Sequence, residues 1–179
     1  MLTLITGGAR SGKSRHAQSL CANVARVAYV ATGIDCDDEM RKRIRKHRDA
    51  RPASWQTIEE PLELSAAVSR HAPENDIVLI DCLTLWLSNF CWHWRESEVE
   101  EIEQAVANEL NAVIETAIGS HLIIVTNEVG SGVVPESRVG RYFRDLQGFA
   151  NQQIAEAADS VYLAVAGIAI RIKPSGMAT

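Results

Sequence analysis

Residues 7–14, Gly7-Gly8-Ala9-Arg10-Ser11-Gly12-Lys13-Ser14, follow the pattern G-x-x-x-x-G-K-S, that of a loop wrapped around phosphate groups. The glycines let the backbone curl until successive N–H groups point inward at phosphate oxygens. A helix starting directly behind such a loop adds the positive end of its dipole. Lys13 would reach the β- and γ-phosphates as a catalytic cation, and the Ser14 hydroxyl would hold Mg²⁺. The pattern predicts a nucleoside triphosphate site. Further along, Asp81 ends the apolar run Ile77-Val78-Leu79-Ile80, and open α/β sheets bind ligands at the carboxyl ends of such strands. There it reads as a second Mg²⁺ ligand, direct or through water. The alternative is an acid that caps the next helix.

Seven of the 18 basic residues fall between positions 41 and 51: Arg41, Lys42, Arg43, Arg45, Lys46, Arg48 and Arg51. In a chain of net charge −5 that density suits a local anion, and a triphosphate is the obvious one. Met40, Ile44 and His47 lie at i, i+4 and i+7, one face of a helix, which is the apolar and inward one. The surrounding cations would disfavour the imidazolium, and a neutral imidazole can attack phosphorus to form a phosphoramidate. By geometry alone a lone histidine on such a face is more often structural. His16, His71, His93 and His121 have no comparable setting. Trp86, Phe90, Trp92 and Trp94 read most simply as core, with a subunit interface or a large flat ligand as further options. Arg138, Arg141 and Arg144 read as a solvated helix face.

The elements that must position these groups follow from hydrophobic patterning. Leu2, Leu4 and Ile5 predict a strand before the loop, and residues 15–25 a helix after it. Strands are expected at 27–31, 77–81 and 122–126, each a short apolar run. Acids at Asp37-Asp38-Glu39 and bases near His47-Arg48 bound a second helix. A loop containing Pro52 and Pro61 surrounds Trp55, and a short helix covers 62–71. Leu83–Phe90 reads as a packed helix, and Val99, Ile102, Val106, Leu110 and Val113 mark a long amphipathic one. A further helix, 136–158, is expected to break near Gly148. A closing hairpin around Ala166-Gly167-Ile168 follows, then a loose tail over 174–179. Strands alternating with helices predict an α/β fold with a mostly parallel sheet, arranged as one domain over 1–179.

Hydrophobic residues make up 46% and charged residues 23% of the chain, ordinary for a globular protein. The acidic balance argues against nucleic acid or anionic membrane as partner. Neither a basic leader nor a long apolar run is present, so no signal peptide or membrane span is expected. Cys21, Cys36, Cys82 and Cys91 show no C-x-x-C spacing, which fits reduced, mostly buried thiols in a cytoplasmic protein better than a zinc site or disulfides.

Together these motifs resemble the bifunctional adenosylcobinamide kinase/adenosylcobinamide-phosphate guanylyltransferase family. The resemblance runs from about residue 2 to 173. It rests on Thr6 to Arg15, Ala31-Thr32, Asp37-Asp38-Glu39-Met40, His47-Arg48 with Arg51-Pro52, and Thr126-Asn127-Glu128-Val129-Gly130. Gly132, Val134-Pro135-Glu136, Phe143-Arg144-Asp145, Asn151-Gln152 and Ala158-Asp159 complete it. It implies a RecA-like P-loop fold and two reactions. ATP or GTP phosphorylates the terminal hydroxyl of the aminopropanol arm of adenosylcobinamide; GTP then guanylylates a histidine, which passes GMP to the new phosphate. The reacting histidine corresponds to His47. The resemblance places nucleotide on Gly7–Ser14, on Thr32-Gly33, on Arg48, Asp49, Ala50 and Arg51, and on an acid at Glu59 or Glu60. It puts Asp81 where relatives often carry Glu, and it implies a homotrimer. Two other readings stand beside it. One is a plain P-loop kinase of a small metabolite with a structural His47; the other is a RecA-like nucleotide-switched binding module.

Overall fold

The computed structural model describes residues 1–49 and 51–173; Ala50 and the expected tail over 174–179 lie outside the described residues. The elements in chain order are β1 (Leu2–Gly7), α1 (Lys13–Leu20), β2 (Val27–Ala31), α2 (Asp38–Asp49), β3 (Gln56–Glu59) and α3 (Leu64–His71). They continue with β4 (Ile77–Asp81), α4 (Leu83–His93), α5 (Val99–Thr116), β5 (Leu122–Val125), α6 (Arg138–Ala157), β6 (Ser160–Val165) and β7 (Ile168–Lys173). The strands form one sheet in the order β3-β2-β4-β5-β1-β6-β7. All neighbours are parallel except the β6–β7 hairpin. β5 therefore sits between β1, which leads into the glycine loop, and β4, which ends in Asp81. This is the RecA-like arrangement of a P-loop fold.

Alternation along each strand divides the core between the two faces of the sheet. Leu2, Leu4, Val78, Ile80, Leu122 and Ile124 pack against α3, α4, α5 and α6. Ile5, Tyr29, Leu79, Ile123 and Val125 turn the other way, towards α1 and Trp55. Four of the five apolar positions expected along α5 are buried, namely Ile102, Val106, Leu110 and Val113. Glu98 and Glu101 form a capping box at its start, satisfying orphan N–H groups reciprocally.

Several expectations are corrected. The loop around Trp55 contains strand β3, whose residues Gln56–Glu59 are mainly exposed. A polar edge strand carries no apolar alternation for a sequence reading to find. α1 stops at Leu20, where Cys21 caps it. α6 runs unbroken through Gly148; one glycine costs a long packed helix only about 1 kcal/mol. Of the aromatic cluster, Trp86 and Phe90 are buried, but Trp92 is 71% exposed. Cys36 is exposed as well.

Two glycines should respond in opposite directions. Gly7 has φ +147°, and a Cβ there would lie 2.3 Å from the Ala164 carbonyl oxygen. Gly7→Ala should cost at least about 1–3 kcal/mol through the disfavoured backbone alone. Gly148 has open space where a Cβ would go, so Gly148→Ala should raise stability by about 0.5–1 kcal/mol. Urea denaturation of the two variants beside the parent checks both.

Candidate nucleotide and phosphoryl-transfer site

Six parallel strands present their carboxyl-terminal halves to one edge. Glu59 pairs in register with Ala31, Ala31 with Asp81, Asp81 with Val125, Val125 with Ile5, and Ile5 with Tyr162. The glycine loop leaves β1 just beyond this row. Arg10 adopts φ +56° and Gly12 φ +97°, left-handed conformations that fold the loop back on itself. Gly12 offers no side chain to cap α1, and the first-turn N–H groups of a helix have no intrahelical acceptor. Lys13 is buried, and its ammonium donates to the Gly8 carbonyl (2.6 Å) and to Ser11 Oγ (3.4 Å).

The C-terminal hairpin holds this loop from outside. The Gly167 N–H donates to the Ser11 carbonyl at 2.9 Å, and Arg15 donates to the Gly167 carbonyl at 3.0 Å. A Cβ on Gly12 would come to 3.0 Å from the Gly167 Cα. The loop glycines thus serve packing against the hairpin as well as backbone freedom. No sequence signal in Arg15 or Gly167 pointed to this brace.

Asp81 is the centre of the opposite wall. Its side chain is 10% exposed, and Oδ2 accepts the Tyr29 hydroxyl at 2.5 Å. No side chain caps α4, so Asp81 does not take the helix-capping role open to it. Arg51 lies over the Tyr29 ring, its guanidinium carbon 3.5 Å from the centroid, and its buried Nε has no acceptor among the described residues. A phosphate oxygen is a natural partner for that N–H. His47 Nδ1 stands 4.0 Å from Asp81 Oδ2, within ion-pair range and beyond a hydrogen bond. To the cations expected around this ring the structure adds a carboxylate, Asp81, as its ion-pair neighbour. Met40, Ile44 and His47 are the half-buried positions of α2, and no described residue of that helix is fully buried.

The other expected residues are placed as follows. Gly33 adjoins Ile44 of α2 and Leu85 of α4. Thr32 is fully buried, with its hydroxyl donating to the Cys82 carbonyl and accepting the Cys82 N–H, so its side chain ties β2 to the start of α4. Arg48 and Glu59 approach to 3.9 Å, both largely exposed, a pair worth little in water. Glu60 Oε1 accepts the N–H groups of Leu62 and Glu63, which shapes the entry to α3. Asp49 is exposed at the end of α2. Ser14, the second residue of α1, is half-buried at the loop.

A Mg²⁺ ion fits the donor set here. Among the described residues no cluster of three or more His, Cys, Asp or Glu could cage a metal. A single hydroxyl from Ser14 and a single carboxylate from Asp81 match an ion that usually keeps waters and substrate phosphate oxygens as its remaining ligands.

Tyr29 escaped the sequence reading because it lies inside an apolar strand, VAYVA, where an aromatic is ordinary core. A phenol buried in a sheet nevertheless needs a polar partner, and that was the available signal. Burial first, and then the neighbouring Asp81 charge, push its pKa well above the usual 10. The unfolded chain releases this proton above about pH 10 while the folded chain keeps it, so stability falls as pH rises. Tyr29 alone should contribute a slope of about 1.4 kcal/mol per pH unit in that range. Denaturation midpoints between pH 9 and 11 should fall less steeply in Tyr29→Phe than in the parent.

Comparison with known proteins agrees with this geometry. The family model described as cobinamide kinase / cobinamide phosphate guanyltransferase matches residues 3–172. The bifunctional adenosylcobalamin biosynthesis protein CobU of Escherichia coli (strain K12) is 41% identical over 181 residues, covering 97% of this chain and 100% of the relative. The protein of the same name from Salmonella typhimurium matches to the same extent. The bifunctional adenosylcobalamin biosynthesis protein CobP of Pseudomonas aeruginosa is 41% identical over 176 residues, covering 97% of this chain and 98% of that one. With a glycine loop, a strand-end aspartate and an α2 histidine meeting at one sheet edge, and with this likeness over nearly its whole length, the chain belongs to the cobinamide kinase / cobinamide phosphate guanyltransferase family.

Proposed function

We propose that this chain performs both reactions for which its family is named, using one nucleotide site on the glycine loop. The observation that carries the proposal is His47 beside Asp81, on the edge to which the loop brings the triphosphate. In the first reaction the hydroxyl of the aminopropanol arm of adenosylcobinamide attacks the γ-phosphorus of ATP or GTP. The new O–P bond replaces the bond to the bridging oxygen, a nucleoside diphosphate leaves, and the hydroxyl proton passes to solvent. Lys13 and the loop N–H groups stabilise the charge on the transferring phosphoryl group. Mg²⁺, held by Ser14 and Asp81, would supply further neutralisation of phosphate charge when bound.

In the second reaction His47 attacks the α-phosphorus of GTP, and the bond to pyrophosphate breaks. With Nδ1 beside the carboxylate, Nε2 is the nitrogen left for phosphorus. A phosphate oxygen of adenosylcobinamide phosphate then attacks the same phosphorus, the N–P bond breaks, and adenosylcobinamide-GDP leaves with His47 regenerated. Arg51, whose Nε has no partner among the described residues, and Arg48 are assigned to the nucleotide phosphates, Thr32-Gly33 and Glu59 or Glu60 to the remainder of the nucleotide. A loop that cradles β- and γ-phosphates leaves the α-phosphorus towards α2. That helix buries none of its described residues fully, so it can move between the two steps at little cost.

We assign the assembly as a homotrimer. Resemblance supports this, as do Ile168, Ile170 and Ile172, which lie on edge strand β7 and are each more than half exposed. An uncovered apolar edge is a liability for a lone subunit. Light scattering on the purified protein should give three times the chain mass, and a mass equal to one chain would overturn the assignment.

Incubation with Mg²⁺ and GTP labelled at the α-phosphorus should leave acid-labile, alkali-stable label on the denatured protein. His47→Ala should abolish that label while retaining phosphorylation of adenosylcobinamide. Absence of label in an active parent would reduce the chain to a kinase.

A further inference from the structure

The segment Thr126-Asn127-Glu128 leaves β5 between the glycine loop and Asp81, and the mechanism above gives it no task. The β1–β5 ladder continues through it: the Thr126 N–H donates to the Ile5 carbonyl at 3.0 Å, and the Glu128 N–H to the Gly7 carbonyl at 3.0 Å. Alternation therefore continues as well. Thr126 follows Leu122 and Ile124 to the α4–α6 face, where its hydroxyl meets Asn151 at 2.7 Å. Asn127 follows Ile123 and Val125 to the α1 face, which is also the face of Tyr29 and Leu79. Asp81, two residues after Leu79, shares it. Asp81 is in register with Val125, so Asn127 stands one strand over and two residues on, at a Cα separation of about 8 Å. On its other side is β1 and the loop.

A buried polar network holds this residue. Thr126 and Gln147 are fully buried, Thr84 and Asn151 nearly so. Gln147 Nε2 donates to Thr126 Oγ1 (3.2 Å) and Asn151 Oδ1 (2.9 Å), and Thr84 Oγ1 lies 3.4 Å from Thr126 Oγ1. Among the described residues two side-chain bonds leave the network, and both end on the Asn127 backbone: its N–H donates to Thr84 Oγ1 at 2.8 Å, and its carbonyl accepts from Asn151 Nδ2 at 3.1 Å. Desolvating four polar side chains is costly, and the return is one fixed geometry. What is fixed is the Asn127 peptide. Its own half-buried carboxamide makes no hydrogen bond with any described residue.

We infer that the Asn127 carboxamide donates a hydrogen bond to the γ-phosphoryl group during its transfer, making it a catalytic residue of the kinase reaction and not of guanylyl transfer. This rests on the two-reaction reading above. The γ-phosphoryl group lies between loop and Asp81, where a donor on the β5 end can meet it. The α-phosphorus lies towards α2, on the opposite side of Asp81 from β5. A preorganised neutral donor follows charge as it spreads onto the phosphoryl oxygens and needs no proton transfer of its own.

The test compares the parent with Asn127→Ala and Asn127→Asp in two assays: γ-label transfer from GTP to adenosylcobinamide, and α-label incorporation at His47. Asn127→Ala should lower kcat of phosphoryl transfer by about 100–1,000-fold, with KM for GTP and His47 labelling each within about threefold of the parent. Asn127→Asp keeps the shape but replaces the donor with a negative charge, and should lose at least as much. Unchanged phosphoryl transfer in either variant overturns the inference, as does an equal fall in both assays, which would mean that the residue only holds the loop. Should Asn127→Ala fail to melt cooperatively, Asn127→Asp carries the test. A parent inactive in both assays refutes the two-reaction reading instead.

Discussion

Parallel register is the constraint on which the rest of this structure depends. Side chains alternate with a period of two, so a one-residue slip of β4 against β5 would turn Asp81 from the α1 face to the opposite one. The pairing of Asp81 with Val125 and of Val125 with Ile5 prevents that, and it is enforced by apolar burial on both faces. Ile80 and Ile124 must face α4–α6 while Leu79 and Val125 face α1. The hydrophobic core thereby sets the position of a carboxylate relative to a phosphate loop that departs from a strand two places away.

Around that frame the site is assembled from parts of very different stiffness. The loop is clamped by backbone contacts with the hairpin at Gly167 and by the close approach of Gly7 to Ala164. Tyr29 and Asp81 are fixed to each other across adjacent strands. α2, in contrast, presents only the half-buried face of Met40, Ile44 and His47. A rigid cradle with one loosely packed wall suits a family whose two reactions occur at different phosphorus atoms, γ and α. The loosely packed wall carries His47, and the clamped cradle carries Lys13 and Ser14.

The polar interior behind β5 shows how a fold commits buried hydrogen bonds to a single backbone position. Thr84, Thr126, Gln147 and Asn151 come from α4, the end of β5 and α6, and none of them reaches the sheet edge itself. Their effect is relayed through the Asn127 peptide, as second-rank partners orient the groups that meet substrate in other sites.

Reading the chain alone recovered most elements and the strand–loop–helix setting of the glycine loop, because both are local. Apolar runs at 27–31, 77–81 and 122–126 dictate buried strands whatever surrounds them, and G-x-x-x-x-G-K-S carries its own strand–loop–helix context. Asp81 was legible as a strand-end acid, and His47 as the inward position of a charged helix. The polar strand β3 was not, since pairing at an exposed edge demands no apolar pattern. The partner of His47 was not either: neighbours in sequence are cations, whereas the neighbour in space is a carboxylate 34 positions away. Tyr29 over Asp81, Gly167 against the loop and the network behind Asn127 were likewise decided only in three dimensions. Each joins residues far apart in the chain, and such contacts are chosen by strand order and register, which local propensity does not encode.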